Sequence, residues 1–260
     1  MSQSIGSGIL DDKVQRFLSI ESELLKELEP KGQLRFDQPG LSASTISGQY
    51  YCEKKVELEY IHGRVETEVK QQGSEGHENL TAGAVKSERV DLLRRIFNGE
   101  FLVYQEISFI TKHEDVLLLG KPDAMVFQDG EPILLFEFKF SNSNYPYPSY
   151  HVQAGIYGLI LSNLGFNVDR LYYALAMVPR HRRGDGSLFE GILSRVADNG
   201  AREAILEVDG SSVQVCKFHR EKAEKDLSWA LGFWKGERSA APADNSNKCR
   251  SCEFAQLCEK

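Results

Sequence analysis

The stretch Ile133–Phe140, ILLFEFKF, constrains this chain more than any other. Its short apolar, aromatic-rich run is the pattern of a buried strand. Side chains on a strand alternate between faces, so Glu137 and Lys139 share one face while Phe136, Phe138 and Phe140 share the other. A lone Glu-x-Lys pair is usually a solvated strand face, but these flanks are too apolar for an ordinary wet face. Upstream, Asp123 follows Pro122 where one strand ends and another starts. Downstream, Gln153 and Tyr157 are four apart on a predicted helix and share a face. An acid, then an acid and a lysine two apart on a buried strand, can hold a divalent cation beside a scissile phosphate. Carboxylate oxygens suit Mg²⁺ or Mn²⁺. The ion polarises the phosphate and acidifies a bound water, and the lysine orients that water or offsets developing charge.

In this order, Asp123, Glu137-Phe138-Lys139 and Gln153-x3-Tyr157 resemble the PD-(D/E)xK nuclease signature in its RecB-like form. The resemblance implies an α/β fold, a mixed central sheet flanked by helices. It makes Asp123 and Glu137 metal ligands and Lys139 catalytic, with Gln153 and Tyr157 bracing the site or contacting DNA. Gly73-x3-His77 is similar to an element that supplies an imidazole to the metal in such nucleases. By itself, a histidine near a helix start is more often a surface or capping residue. As a ligand, His77 would tilt the preference towards Mn²⁺.

Composition is that of a globular protein, 41% hydrophobic and 27% charged, and its 260 residues suit a single domain. The formal net charge of −7 gives no global support for nucleic-acid binding, so any phosphate contacts must be local. The polar, acidic start MSQSIGSGILDDK lacks a signal pattern, and no apolar run approaches the ~18 residues of a membrane span. The expectation is a soluble, cytoplasmic protein.

Helical spacing predicts a packing helix over Asp11–Glu29, started by Asp11 or Asp12, and a second over Leu41–Tyr60, capped by Ser42 or Ser44. Within Val69–Asn98 a long helix runs through Leu92, Leu93 and Ile96. Phe101–Thr111 and Val116–Phe127 read as strands that form an antiparallel meander with Ile133–Phe140. Glu106 either faces the site or is an exposed edge acid. The loop Asn142–Tyr150 carries three tyrosines, which stack on unpaired bases or pack the loop onto the domain. A helix over His151–Leu164 and a strand over Arg170–Pro179 suggest a right-handed βαβ crossover. The run Arg180-His181-Arg182-Arg183 after that strand is a solvated loop or a phosphate-contact site. Ser187–Arg195, Ala204–Val208 and Val213–Phe218 look strand-like, and Glu221–Lys235 helical. Glu237–Asn247 reads as a polar linker. There is no Walker lysine loop, dinucleotide fingerprint or nucleophile elbow.

Of five cysteines, three crowd the tail as Cys249-x2-Cys252-x5-Cys258. An odd count clustered this way argues against a secreted disulfide framework and for a metal site. Three thiolates need a fourth ligand to close a zinc site or a cubane cluster, and Cys52 is the natural fourth. Cys216 alternates with Val213 and Val215 and reads as an unattached packing cysteine. One early and three late cysteines around the nuclease motif resemble the iron–sulfur-containing RecB-like nucleases. Those include the CRISPR-associated RecB-like exonuclease family and the nuclease domains of some helicase–nucleases. The resemblance implies a four-iron, four-sulfur cluster on Cys52, Cys249, Cys252 and Cys258. Residues 42–60 and 245–260 would then form an iron–sulfur lobe of a single nuclease domain over residues 1–260. It also implies an Mg²⁺- or Mn²⁺-dependent deoxyribonuclease. The favoured activity is single-stranded DNA exonuclease action in CRISPR spacer acquisition, an antiviral defence, or in DNA repair. CRISPR integrase proteins or a helicase are the implied partners. Cys-Pro-Arg is frequent at the first cysteine, whereas this chain has Cys52-Glu53-Lys54. The rival readings are structural zinc, a non-catalytic DNA-binding scaffold with a vestigial site, and a structure-specific endonuclease.

Overall fold

A computed structural model describes residues 2–28, 31–63, 89–182, 187–200, 202–243 and 245–258. The chain opens with helix α1, Ser2–Lys26, which begins well before the Asp11 start expected from the sequence. It continues through a short strand β1, Gly40–Ser42, into α2, Ala43–Tyr51, and α3, Glu53–His62. The single helix expected over Leu41–Tyr60 is therefore two. Cys52 breaks it with an extended backbone, φ −169° and ψ 112°, closing α2 and opening α3. The expected cap is present: Ser42 Oγ accepts the Thr45 N–H at 3.0 Å. Of the long helix expected within Val69–Asn98, α4 spans Arg89–Phe97. The Gly73-x3-His77 element lies outside the described residues.

Next come β2, Leu102–Gln105; β3, Phe109–His113; β4, Val116–Gly120; β5, Ala124–Gln128; and β6, Glu131–Phe140. Both strands predicted ahead of β6 are thus cut in two. Glu106 takes a left-handed φ of 53° after β2, and Lys121-Pro122-Asp123 separates β4 from β5. Pro122 has no N–H for a ladder. The two breaks are tied together by the Glu106 N–H, which donates to the Asp123 carbonyl at 3.0 Å. As a result β2 and β5 join β6 in one sheet, while β3 and β4 leave for another, with β1 parallel to β4. The antiparallel meander survives only as β2-β5-β6.

After β6 the chain forms α5, Pro148–Asn163, and β7, Tyr172–Val178, which pairs parallel to β6 from Leu134↔Tyr172 to Phe140↔Val178. This is the expected β–α–β unit. Then come α6, Ser187–Asp198; β8, Ala204–Val208; β9, Ser211–Lys217; α7, Arg220–Trp234; and α8, Ser246–Arg250. The strand expected over Ser187–Arg195 is a helix. Leu188, Phe189, Ile192 and Val196 recur at helical spacing and are all buried.

The main sheet is mixed, in the order β2-β5-β6-β7-β9-β8. One face, with Leu134, Phe136 and Phe138, packs under α6, where Phe189 meets the rings of Phe136 and Phe138 edge-on at 5.8 Å each. The other face, with Met125, Phe127 and Leu135, is covered by α5 and α7 through Ile156, Leu159, Leu227 and Trp234. Strand alternation places Glu137 and Lys139 on the face of Leu135, towards α5. The fold is an α/β arrangement of mixed sheets flanked by helices. Among the described residues no helix is long and apolar enough to cross a membrane.

Candidate active site

Asp123, Glu137, Lys139, Gln153 and Tyr157 line one cleft of about 480 Å³ together with Ser42, Ser108 and Lys121. Each is placed by a different feature of the backbone. Asp123 sits in the break before β5, and its Oδ2 accepts the Phe138 N–H at 2.7 Å. That bond fixes the aspartate against the strand that carries the other two charges. Glu137 is only 5% exposed. Its Oε1 accepts from Lys139 Nζ at 2.7 Å and from Gln153 Nε2 at 2.7 Å. Gln153 Oε1 in turn accepts from Lys139 Nζ at 3.1 Å. Gln153 Nε2 also donates to Tyr157 Oη at 2.8 Å, and the tyrosine hydroxyl donates to the Lys121 carbonyl at 3.2 Å. A buried carboxylate is tolerable only with this degree of pairing.

The close approach of α5 to the strands depends on Gly120 at the end of β4. A Cβ there would lie 2.9 Å from the Tyr157 ring and 2.8 Å from Ile160. The glycine lets the Lys121 carbonyl reach the tyrosine hydroxyl.

Burial acts to lower the Lys139 pKa, but the Glu137 and Asp123 carboxylates outweigh it and hold the ammonium above the ordinary lysine value. Burial, then the same two carboxylates, push the Tyr157 phenol well above its usual range. Both groups stay protonated at neutral pH. Asp123 and Glu137 therefore act on the same two groups across the cleft.

Two further contacts escaped the sequence reading, which named Tyr150 only among the three tyrosines of the loop Asn142–Tyr150. Tyr150 presents its ring to Lys139 Nζ at 4.8 Å from the centroid. It lies three residues before Gln153 and seven before Tyr157, so extending that helical stripe back by one turn would have found it. Lys121 lines the cleft and pairs with Glu106 at 3.0 Å. Glu106 thus holds a residue at the rim. Of the basic run, Arg180, His181 and Arg182 form a 3₁₀ turn after β7, and Arg182 donates to the Asp209 carbonyl. Because β6 and β7 are parallel, this turn lies at the same C-terminal end of the strands as Lys139, with the Ser141 N–H on the Val178 carbonyl at 2.9 Å. Arg183 and His77 lie outside the described residues.

The family model for the PD-(D/E)XK nuclease superfamily matches residues 21–259. This chain belongs to the PD-(D/E)XK nuclease superfamily. Curated proteins offered no match. Among solved structures, the crystal structure of SSO0001 aligns with 98% of this chain and 96% of that one, at 13% identity and a TM-score of 0.49.

In this PD-(D/E)XK chain the cysteines form a second hollow. Cys52, Cys249, Cys252 and Cys258 all line one cleft of about 340 Å³, beside Tyr51 and Lys55. Burial, then Cys52, Cys252 and Cys249, raise the Cys258 thiol above its ordinary value. None of the five cysteines is in a disulfide. Among the described residues no three His, Cys, Asp or Glu side chains close on a single metal ion. Cys216 stands apart on β9, in contact with Tyr173.

The two ends of the chain meet here through bonds that no sequence pattern announced. Glu53, 1% exposed and next to Cys52, accepts from both terminal nitrogens of Arg238 at 2.6 Å and from the Ala241 N–H at 2.7 Å. Gln49 adds a donor to the same carboxylate and accepts from Trp234 Nε1 at 2.8 Å. Burial works to raise the Glu53 pKa, but these donors overcome it and hold the carboxyl below the ordinary glutamate value. Lys55 pairs with Glu253 at 3.0 Å, and Lys248 donates to the Tyr51 carbonyl at 3.1 Å.

Proposed function

We propose that this chain is an Mg²⁺- or Mn²⁺-dependent deoxyribonuclease that degrades single-stranded DNA from an end. The interlocked set Asp123, Glu137, Lys139 and Gln153 in one cleft carries this reading. Its donors fit a hard divalent cation. Asp123 and Glu137 offer carboxylate oxygens to the same hollow, and a hard cation takes oxygen ligands. His77 is the proposed third ligand. Such an ion, when bound, polarises the phosphodiester and makes a bound water more acidic.

The chain's own residues do the rest. Lys139 is the cation beside the two carboxylates. Its ammonium donates to a water or to a non-bridging phosphate oxygen and offsets the negative charge that develops there. Gln153 keeps that ammonium aimed, since its carbonyl oxygen accepts from Lys139 while its amide nitrogen grips Glu137. Tyr157 holds the amide in that orientation. The Arg180–Arg182 turn offers cations for backbone phosphates at the same end of the strands.

The cysteine cleft is proposed to hold a four-iron, four-sulfur cluster that joins residues 42–60 to 245–260 as a lobe of one domain. Four thiols on one hollow support it. CRISPR spacer acquisition or DNA repair is the proposed setting, with integrase proteins or a helicase as partners in the cytoplasm.

The test uses end-labelled linear and circular single-stranded DNA with Mn²⁺ or Mg²⁺. Wild-type protein shortens the linear strand and spares the circle, while Asp123→Asn and Lys139→Ala are inactive. Cleavage of the circle turns the reading to an endonuclease, and binding without cleavage turns it to a scaffold. Protein prepared without oxygen should absorb broadly near ~400 nm from its cluster. Colourless protein with one zinc per chain would replace iron–sulfur by zinc.

A further inference from the structure

A row of tyrosines joins the two hollows. Lys139 Nζ lies 4.8 Å over the Tyr150 ring, Tyr150 meets Tyr147 at 5.5 Å, and Tyr147 meets Tyr51 at 6.1 Å. Lys248 Nζ closes the far end, 4.8 Å over the Tyr51 ring. The row therefore runs from the catalytic lysine to the residue before Cys52. Its rings meet edge to face, with interplanar angles of 76° and 85°, so no pair spends two faces on a mutual stack. Tyr147, in the middle, is 42% exposed. Beside the row runs a groove of about 710 Å³, lined by Tyr51, Tyr147, Trp229 and Lys248.

Packing alone does not account for this arrangement. A tyrosine that only anchors a loop is buried, and the loop already has a buried anchor in Ser149, whose carbonyl accepts from Ser47 Oγ at 2.8 Å. An open aromatic face flanked by ammonium groups matches a polymer that alternates flat rings with phosphates. Aromatic side chains stack on bases of any sequence, and cations beside them track the backbone. The bases of a duplex are stacked on each other, so their faces are available only in a single strand.

We propose that Tyr150, Tyr147 and Tyr51 form a stacking rail that holds the unpaired bases of a DNA single strand between the catalytic cleft and the cysteine lobe. This deepens the single-stranded DNA reading given above and rests on it. The rail grips bases, whereas the cleft acts on phosphates, so the two are separable by experiment.

Binding of a fluorescent single-stranded oligonucleotide is measured in EDTA, where no cleavage occurs, with the full chain and its cysteine site loaded. Tyr147→Ala should weaken binding about 5- to 100-fold, the range of one lost base stack, while Tyr147→Phe keeps near wild-type affinity. A strand of the same length whose central bases are replaced by abasic sites should bind both proteins equally. Unchanged binding by Tyr147→Ala overturns the proposal, as does an equal loss on the abasic strand, which would mean a backbone contact or a damaged fold. In wild-type protein, an oligonucleotide carrying 5-iodouracil should crosslink under light to Tyr147, Tyr150 or Tyr51, and crosslinks confined to other peptides refute the rail. Wild-type protein that stacks bases but cuts no DNA sinks the nuclease reading and leaves the rail. Cleavage with unaltered binding in Tyr147→Ala does the reverse.

Discussion

The two hollows are built on opposite principles. The proposed catalytic cleft draws its five residues from a run of 35, Asp123 to Tyr157, set on one sheet and one helix. Its side chains bond one another, Lys139, Glu137 and Gln153 in a closed triangle with Tyr157 held on Gln153. The cysteine cleft draws on both ends of the chain, and its thiols line a space without closing on a single ion. What holds it is a set of bonds around the thiols, led by the buried Glu53–Arg238 pair. The difference teaches that the first site is a property of neighbouring secondary-structure elements. The second is a property of chain closure and is secured from outside.

The sharpest way to break this contrast is to disable one site and look for damage at the other. Lys139→Ala should cut DNA cleavage by at least about 10²–10³-fold, the usual loss when a donor to developing charge is removed. The ~400 nm absorbance of the proposed cluster should stay unchanged, and a coupled loss of colour would show that the sites are not independent. Next in size is Glu53→Ala. Removing one partner of a fully buried pair costs ~3–5 kcal/mol, but Arg238 is 30% exposed and can rehydrate, so about 2–3 kcal/mol is expected in denaturant unfolding. With the proposed cluster in the cleft, the same variant should lose iron during purification, and full retention would mean that Glu53 does not secure the cleft.

Tyr157→Phe sharpens the comparison from the catalytic side. It removes the hydroxyl that accepts from Gln153 and donates to the Lys121 carbonyl. A stability loss of about 1 kcal/mol with a larger fall in kcal-equivalent cleavage rate would mark the tyrosine as a positioning residue. Equal losses would mark it as packing only. The smallest effect concerns the root of β6. Arg170 and then Asn167 hold the Glu131 carboxyl below the ordinary glutamate value near 4.5. A carboxyl depressed by folding stabilises above its unfolded pKa, and that contribution fades as pH falls through the folded one. Glu131→Gln should therefore lower stability by at most about 1 kcal/mol at pH 7 and by less as the pH drops below 4.5. A constant difference across that window would remove the ion pair from the account.

Much of the catalytic cleft was legible because its spacings are local. Two residues apart on a strand and four apart on a helix each force a common face, and that placed Glu137 with Lys139 and Gln153 with Tyr157. The strand breaks were harder to see. Nothing in FLVYQEISFIT announces that Glu106 turns left-handed, since only its bond to the Asp123 carbonyl makes that conformation worthwhile. The α6 error arose from reading a short apolar run without its period. Leu188, Phe189, Ile192 and Val196 fit one helical face, and the Phe136–Phe138 surface needs that face as its cover.

Sequence alone thus determined the chemistry on offer: two carboxylates, a lysine, a glutamine–tyrosine stripe, and one early cysteine to go with three late ones. Only the tertiary structure decided how these meet. It set Asp123 against the Phe138 N–H, stood Tyr150 beside Lys139, and buried Glu53 under Arg238 to bring the chain ends together. The physical reason is range. Periodicity fixes which neighbours share a face, whereas contacts between distant segments depend on the packing of the whole chain, which no short window encodes.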